Sequence, residues 1–389
     1  IYEVNVRQYT REGSFTAFGE HLQTLKDMGI NTLWFMPIHP ISLTKRSGPL
    51  GSYYSVTDYR KVNPEFGTEE DFKNLVDTAH AMGFHVMLDW VANHTGWDCT
   101  WIKDHPDWYS GTNQWKGQLC VTNPDMRREY IRNTLKLLRE NPDCSAIQVS
   151  QNDWDKKICH CAKCLAAKEA EGAWSGPYLQ FVNAVAAEVE KEFPNVTIDT
   201  FAYLFTRKAP KTVRPRHNVV VRLCDIECAF NRPLADPTYE SNRAFLADLR
   251  AWSKVAAGNL YVWDYQADFT SYMMPHPNLQ VFSDNLRLFR DAGAVGVFEQ
   301  GDAMCPAGDF AALKCYVTSH LMWDPTKDWR ALRDEFLTGY YGAGAAVHIR
   351  RVLESAAASA GREGVAAMEC YHVKPFPWIT AEVGLAACA

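Results

Sequence analysis

The sequence predicts an α/β fold, a (β/α)8 TIM barrel followed by a helical C-terminal appendage. Three observations carry this. Short apolar runs alternate with stretches of helical period, the pattern of βα units that build a parallel sheet. Eight such runs fall within residues 1–305, the number a closed barrel needs. Residues 306–389 show helical periodicity and no strand pattern, so they form the appendage.

Taken in order, the first strand is expected over Ile1–Tyr9. A helix follows near Thr16–Met28, with Phe18, Leu22, Leu25 and Met28 at inward spacing and Gly29 to end it. The second strand is Thr32–Ile38, and a loop rich in Gly, Ser, Pro and Tyr runs to about residue 66. Thr68, with Asp71 three residues on, opens a helix that presents Phe72, Leu75, Val76 and Ala79 to the core. His85–Trp90 is the third strand. Asn123 caps the next helix with Pro124 at its first position, where a missing N–H costs nothing; Met126, Tyr130, Ile131, Leu135 and Leu138 face inward. The fourth strand lies in Ser145–Trp154, where Ala146, Ile147 and Val149 precede the polar cluster Ser150–Asp153. Then come a helix over Pro177–Lys191, strand five (Thr197–Phe205), strand six (Asn218–Leu223) and a helix over Asn242–Val255. Strand seven (Leu260–Tyr265), a helix over Val281–Asp291 and strand eight (Ala294–Glu299) complete the barrel. Phe310–Leu321, Trp329–Tyr340 and Val347–Ala360 are the helices of the appendage.

Of the 389 residues, 47% are hydrophobic and 22% charged, and the formal net charge is −6. A mildly acidic chain without a long basic run argues against nucleic acid or an anionic membrane as the main partner. No apolar run approaches the roughly 18 residues of a membrane span. The start at Ile1 without Met allows for a leader having been removed. A secreted or periplasmic location is favoured over a cytoplasmic one, and the oligomeric state is left open. The 13 Trp and 17 Tyr offer rings on which sugar faces can stack.

Several linked motifs in the first third, IYEVNVRQYT, GINTLWFMPIHPI, LGSYYSVTDYRKVNPEFGT and GFHVMLDWVANHTGWD, resemble the α-amylase family, glycoside hydrolase family 13. The resemblance implies that Tyr54 stacks under the sugar at the cleavage subsite and that His94 contacts the same sugar, with Asp89 and Asn93 in the matching motif positions. The family's later pattern is missing. No Arg-x-Asp nucleophile motif stands at strand four, where Ser150 falls. Strand five carries Tyr203 and no Glu, and no Asn-His-Asp follows.

From about residue 115 a second set of motifs takes over: QLCVTNPD, VSQNDW with CHCAKC, SGPYLQFVNAVA, CDIEC, LYVWDY and GVFEQG. These resemble the bacterial domain-of-unknown-function family 4838, and that likeness implies a glycoside hydrolase barrel akin to the family 20 hexosaminidases. The chain thus reads as a hybrid or chimeric barrel, with strands one to three of one lineage and four to eight of another.

Hydrolysis of a glycosidic bond takes two carboxyl groups, one of them held protonated. The carboxylates at expected strand ends are Asp153, Asp225, Glu227, Asp264 and Glu299. Asn152–Asp153 sits where the family 20 likeness implies an Asp-Glu pair, which nominates Asp153 as general acid. Glu299 is nominated as its partner, and Asp264 and Glu227 are further candidates. Asn152, Trp154, Tyr203, Trp263 and Tyr265 are candidate sugar-binding residues beside them.

Twelve Cys is many for this length. Cys159, Cys161 and Cys164 crowd into CHCAKC, three soft ligands that suit a structural zinc given a fourth. Cys120 is the first choice for the fourth, ahead of His160 or Cys228; disulfides or free thiols are the alternative. The expected function is therefore a glycoside hydrolase acting on an oligo- or polysaccharide, with no organic cofactor. The alternatives are an α-glucan hydrolase with a non-standard carboxylate set and a catalytically silent carbohydrate-binding barrel.

Overall fold

The computed structural model describes residues 1–44, 46, 48–90, 96, 108, 117–153, 157–302, 305, 308–373 and 375–388. Eight parallel strands lie in chain order in one sheet, with helices between them: the (β/α)8 arrangement the alternation predicted. The strands are β1 (Tyr2–Val4), β2 (Thr32–Phe35), β3 (His85–Leu88), β4 (Ala146–Gln148), β5 (Thr197–Ala202), β6 (Val219–Cys224), β7 (Leu260–Tyr265) and β8 (Gly296–Gln300). The chain folds as two compact units, Ile1–Phe201 with Pro210–Val221, and Ala202–Ala209 with Arg222–Ala389. Among the described residues no helix is long and apolar enough to cross a membrane.

In the first unit, β1 is shorter than the apolar run suggested. The carbonyl of Asn5 accepts the N–H groups of Gln8 (3.1 Å) and Tyr9 (3.0 Å), which winds Val6–Tyr9 into a helical turn. The single helix expected over Thr16–Met28 is two, α1 (Phe15–Gly19) and α2 (Leu22–Asp27), and Met28 is 61% exposed beyond the second. Ser14 caps α1 by accepting from the N–H of Ala17. Val4, Leu33, Phe35 and Val86 share one core with Phe15, Phe18, Leu22, Leu25 and Phe72. Strand side chains alternate, so Glu3 and Trp34 point to the opposite face.

Helix α3 (Glu69–Ala81) opens with the expected cap: Thr68 N–H donates to Asp71 Oδ2 (2.8 Å) and Asp71 N–H to Thr68 Oγ1 (3.1 Å). In α4 (Pro124–Glu140) Asn123 Oδ1 accepts from the N–H groups of Asp125 (2.9 Å) and Met126 (3.1 Å). Its inward row is Met126, Tyr130, Thr134 and Leu138, while Ile131 and Leu135 are half-buried at its margin. Tyr130 meets Phe181 of α6 (Ser175–Glu192) edge to face at 5.0 Å. Between them, α5 (Ala162–Glu171) follows the cysteine cluster and ends at Gly172, whose φ of 68° suits a residue without Cβ. Its short, weakly apolar pattern gave no helical signal in the sequence.

In the second unit, β7 and β8 pair residue for residue, with Asp264 opposite Glu299. The unit carries α7 (Glu240–Val255), α8 (Phe282–Asp291), α9 (Ala311–Trp323), α10 (Trp329–Tyr341), α11 (Ala343–Ala360) and α12 (Ala381–Cys388). The last of these lies beyond the helices expected. Fully buried Trp378 donates through Nε1 to the carbonyl of Pro275 at 2.6 Å. Asn231 Nδ2 donates to the carbonyl of Ala360 at 2.9 Å. These bonds tie the C-terminal stretch to the strand-bearing part of its own unit.

Candidate functional site

In the first unit the site is built at the end of β4. Ile147 and Val149 are buried, and the chain then delivers Gln151 and Asn152, 5% and 2% exposed, followed by exposed Asp153. Asn152 is held rather than free. Its N–H donates to Gln118 Oε1 (2.9 Å), its carbonyl accepts from Gln118 Nε2 (2.9 Å), and its own Nδ2 donates to the carbonyl of Gly117 (3.3 Å). This clasp presents the next residue, Asp153, to solvent.

Tyr54 shares that neighbourhood. Burial pushes its phenol well above the ordinary tyrosine range, and the negative charges of Asp89, Glu3 and Asp153 push it further, with a hydrogen bond to Asp89. Asp89 is 4% exposed just past β3, its N–H donating to the carbonyl of Phe35 at 2.8 Å. The Tyr54 phenol thus hydrogen-bonds Asp89 and feels the charges of Glu3 and Asp153. Of these, only Tyr54 and Asp153 were nominated from sequence. Asp89 carried a signal in the Asp-x-x-x-Asn-His motif; Glu3 carried only strand alternation. His94 and Trp154 lie outside the described residues.

The second unit has its own acid set. Asp264 and Glu299 stand side by side on adjacent strands, and Asp225, just past β6, hydrogen-bonds Asp264. Two neighbouring buried carboxyls favour one of them keeping its proton. Burial raises the Asp264 carboxyl to about 6. Burial, then the charge of Asp264, raises Asp225 and Glu299 well above the carboxylate range. Gln266 Nε2 bridges Glu299 Oε2 (2.8 Å) and Thr318 Oγ1 of α9 (2.9 Å). Asp264 shares its strand face with fully buried Leu260 and Val262.

The opposite face of β7 is aromatic. Trp263 stacks toward Tyr265 at 6.3 Å, meets Phe298 at 4.3 Å and donates from Nε1 to Gln300 Oε1 at 2.8 Å. The Arg222 guanidinium lies over Trp263 at 5.6 Å. Tyr203 is half-buried, close enough for its charge to add to that of Cys224 in raising the Tyr265 phenol, after burial itself. Glu227 stands apart from the acid set: Arg207 Nη1 donates to its Oε2 at 2.5 Å and Arg207 Nε to Asp248 at 2.8 Å. Asp225 takes the place beside Asp264.

The four nominated cysteines come together in the first unit. The Sγ atoms of Cys120, Cys159, Cys161 and Cys164 all lie within 4.8 Å of one another. His160 instead sets its ring edge-on to Trp174 at 5.4 Å, and Cys228 is buried in the second unit.

The family model described as "Domain of unknown function (DUF4838)" matches residues 54–354, beginning well inside the amylase-like stretch. A segment of 94 residues, 24% of the chain, is 42% identical to α-amylase SusG of Bacteroides thetaiotaomicron and covers 12% of that protein. Another of 115 residues, 28% of the chain, is 35% identical to α-amylase 3 of Dictyoglomus thermophilum and covers 22% of it. The chain thus spans less than a quarter of the length of these curated relatives. An α-amylase from Lactobacillus plantarum superposes with a TM-score of 0.51 at 21% identity, over 78% of this chain and 70% of that one. An Anoxybacillus α-amylase gives 0.52 at 17% identity, over 85% and 79%. These two likenesses are of fold. The kinship with family 20 hexosaminidases that the later motifs implied finds no support in these matches.

Proposed function

We propose, from the premise that this chain belongs to the DUF4838 family, that it is a glycoside hydrolase acting on an oligo- or polysaccharide. The observation that carries this is the Tyr54 phenol, hydrogen-bonded to Asp89 just past β3 and within reach of the charges of Glu3 on β1 and Asp153 past β4. An aromatic face positions a pyranose ring, and crowded carboxyls favour one of them keeping its proton. Hydrolysis then needs a carboxyl that protonates the leaving oxygen and a carboxylate that supports the sugar cation or activates water. Asp153 is exposed, follows a strand end and takes the acid role. Asp89, hydrogen-bonded to Tyr54, supplies negative charge beside the sugar.

Asp264 and Glu299, with Asp225, form the second candidate set, since burial and mutual charge raise all three carboxyls and favour one keeping its proton. The similarity to α-amylases favours an α-glucan as substrate. The test is hydrolysis of starch and a panel of aryl glycosides by the parent, Asp153→Asn, Asp264→Asn and Glu299→Gln. Loss of a general acid lowers the rate about 100-fold or more, and that is expected for Asp153→Asn. Equal rates in that variant and the parent would move the chemistry to the second set if Asp264→Asn or Glu299→Gln fails. Sugar binding with no hydrolysis by the parent would overturn the enzymatic reading.

A further inference from the structure

The cysteine cluster has the metrics of a closed metal centre. Cys120 Sγ lies 3.8 Å from Cys161 Sγ and 4.0 Å from Cys164 Sγ. A tetrahedron with Zn–S bonds of about 2.3 Å has S···S edges of about 3.8 Å. These two edges match such a tetrahedron, and all four sulfurs lie within 4.8 Å of one another. None of the four is disulfide-bonded. Every ligand atom is sulfur, which selects zinc or iron over harder cations.

The surroundings also suit four thiolates. Cys161 N–H donates to the Cys159 sulfur and Cys164 N–H to the Cys161 sulfur. Thr122 Oγ1 lies 3.1 Å from Cys164 Sγ and 3.6 Å from Cys161 Sγ. These donors offset the negative charge left when one divalent ion meets four thiolates. Cys161 is the N-cap of α5 and Cys164 lies in its first turn, where the helix dipole favours anions.

We propose that Cys120, Cys159, Cys161 and Cys164 bind one Zn2+ in a structural four-cysteine centre that fixes the loop carrying Asp153. Binding replaces four S–H bonds with four Zn–S bonds and releases the thiol protons. With four protein ligands no position stays open for water, so the ion is structural. It joins the segment before α4 to the segment before α5. Those same two segments meet in the Gln118–Asn152 clasp and in the Gln118 N–H bond to the carbonyl of Lys157 at 3.2 Å. The metal site stands on its own geometry; its bearing on Asp153 rests on the function proposed above.

The full chain, reduced and stripped of metal, is titrated with Zn2+ and separately with Co2+. One ion per chain is expected, with the Co2+ form showing tetrahedral d–d bands and thiolate-to-cobalt charge transfer. Cys161→Ser and Cys164→Ser lose stoichiometric binding and the charge-transfer intensity of a four-sulfur site; exposed Cys315→Ser keeps both. Thr122→Val weakens binding about 10-fold, as loss of an outer hydrogen bond does. No binding by the reduced parent, an octahedral cobalt spectrum, or equal loss in Cys315→Ser would overturn the site. Iron in the protein as purified would overturn the choice of zinc. Metal binding without hydrolysis sinks the functional reading alone, and hydrolysis at the full rate after metal removal sinks the role at Asp153.

Discussion

Gln118 closes both ends of its side-chain amide on the backbone of Asn152, accepting from its N–H and donating to its carbonyl, each at 2.9 Å. Both residues are buried, at 0% and 2% exposure. Replacing Gln118 with Leu strands two backbone groups in the interior. Each unsatisfied group costs roughly 1–3 kcal/mol, so the variant loses about 2–6 kcal/mol of stability in urea unfolding. Asn152→Ala keeps its backbone bonds to Gln118 and loses less, chiefly its Nδ2 contact with Gly117. Equal stability of Gln118→Leu and the parent would show that the clasp is dispensable.

The acid set of the second unit predicts an unusual pH dependence. Asp264 titrates at about 6 in the fold against 3.8 in an unfolded chain. A folded value above the unfolded one means the fold favours the protonated form. That contribution is full below pH 3.8 and is lost as pH rises through 6. The shift is worth about 3 kcal/mol at roughly 1.4 kcal/mol per unit. The raised values of Asp225 and Glu299 act in the same direction. Asp264→Asn should therefore gain stability relative to the parent between about pH 4 and pH 7, read as a difference in unfolding midpoint. A difference that stays flat over that window would contradict the raised Asp264 value.

Glu227 offers the opposite contrast. Its carboxylate is 46% exposed and engaged by Arg207, which also holds Asp248. A half-exposed ion pair contributes about 0–1 kcal/mol. Glu227→Gln is expected to hydrolyse within about twofold of the parent and to unfold within about 1 kcal/mol of it. A loss comparable to that of Asp153→Asn would place Glu227 in the chemistry after all.

What the sequence made legible follows from how local each signal is. Thr68 with Asp71, and Asn123 with Pro124, set their caps within four residues, and both formed as read. Strand β7 kept its expected bounds because LYVWDY is a clean alternation between turn signals. β1 did not, because the carbonyl of Asn5 captures two amides and no hydrophobic pattern encodes that. At the site, the cysteine spacing announced three of the clustered thiols, and the fourth, Cys120, was legible only as a neighbour of the same βα unit. Gln118 gave no signal, since its partner lies 34 residues on. Nor could alternation say that Asp264 and Glu299 share a side, because that depends on register between strands.

The last expectation concerns Tyr54. Burial and three nearby carboxylates hold its phenol protonated far above neutral pH, so it takes no part as an acid or base in the working range. Its contributions are the ring face and the hydrogen bond to Asp89. Tyr54→Phe keeps the face and removes the bond, freeing a buried carboxylate of one donor. That bond, to a charged group, is worth about 1.5–3 kcal/mol, which corresponds to a roughly 10- to 100-fold fall in kcat/KM. Tyr54→Ala removes the stacking surface as well and should raise KM beyond the Phe variant. The pH profile of kcat/KM should keep its basic limb in Tyr54→Phe, since the phenol does not titrate there. Loss of that limb in the Phe variant would make Tyr54 a proton-transfer group and overturn its assignment as the platform for the sugar.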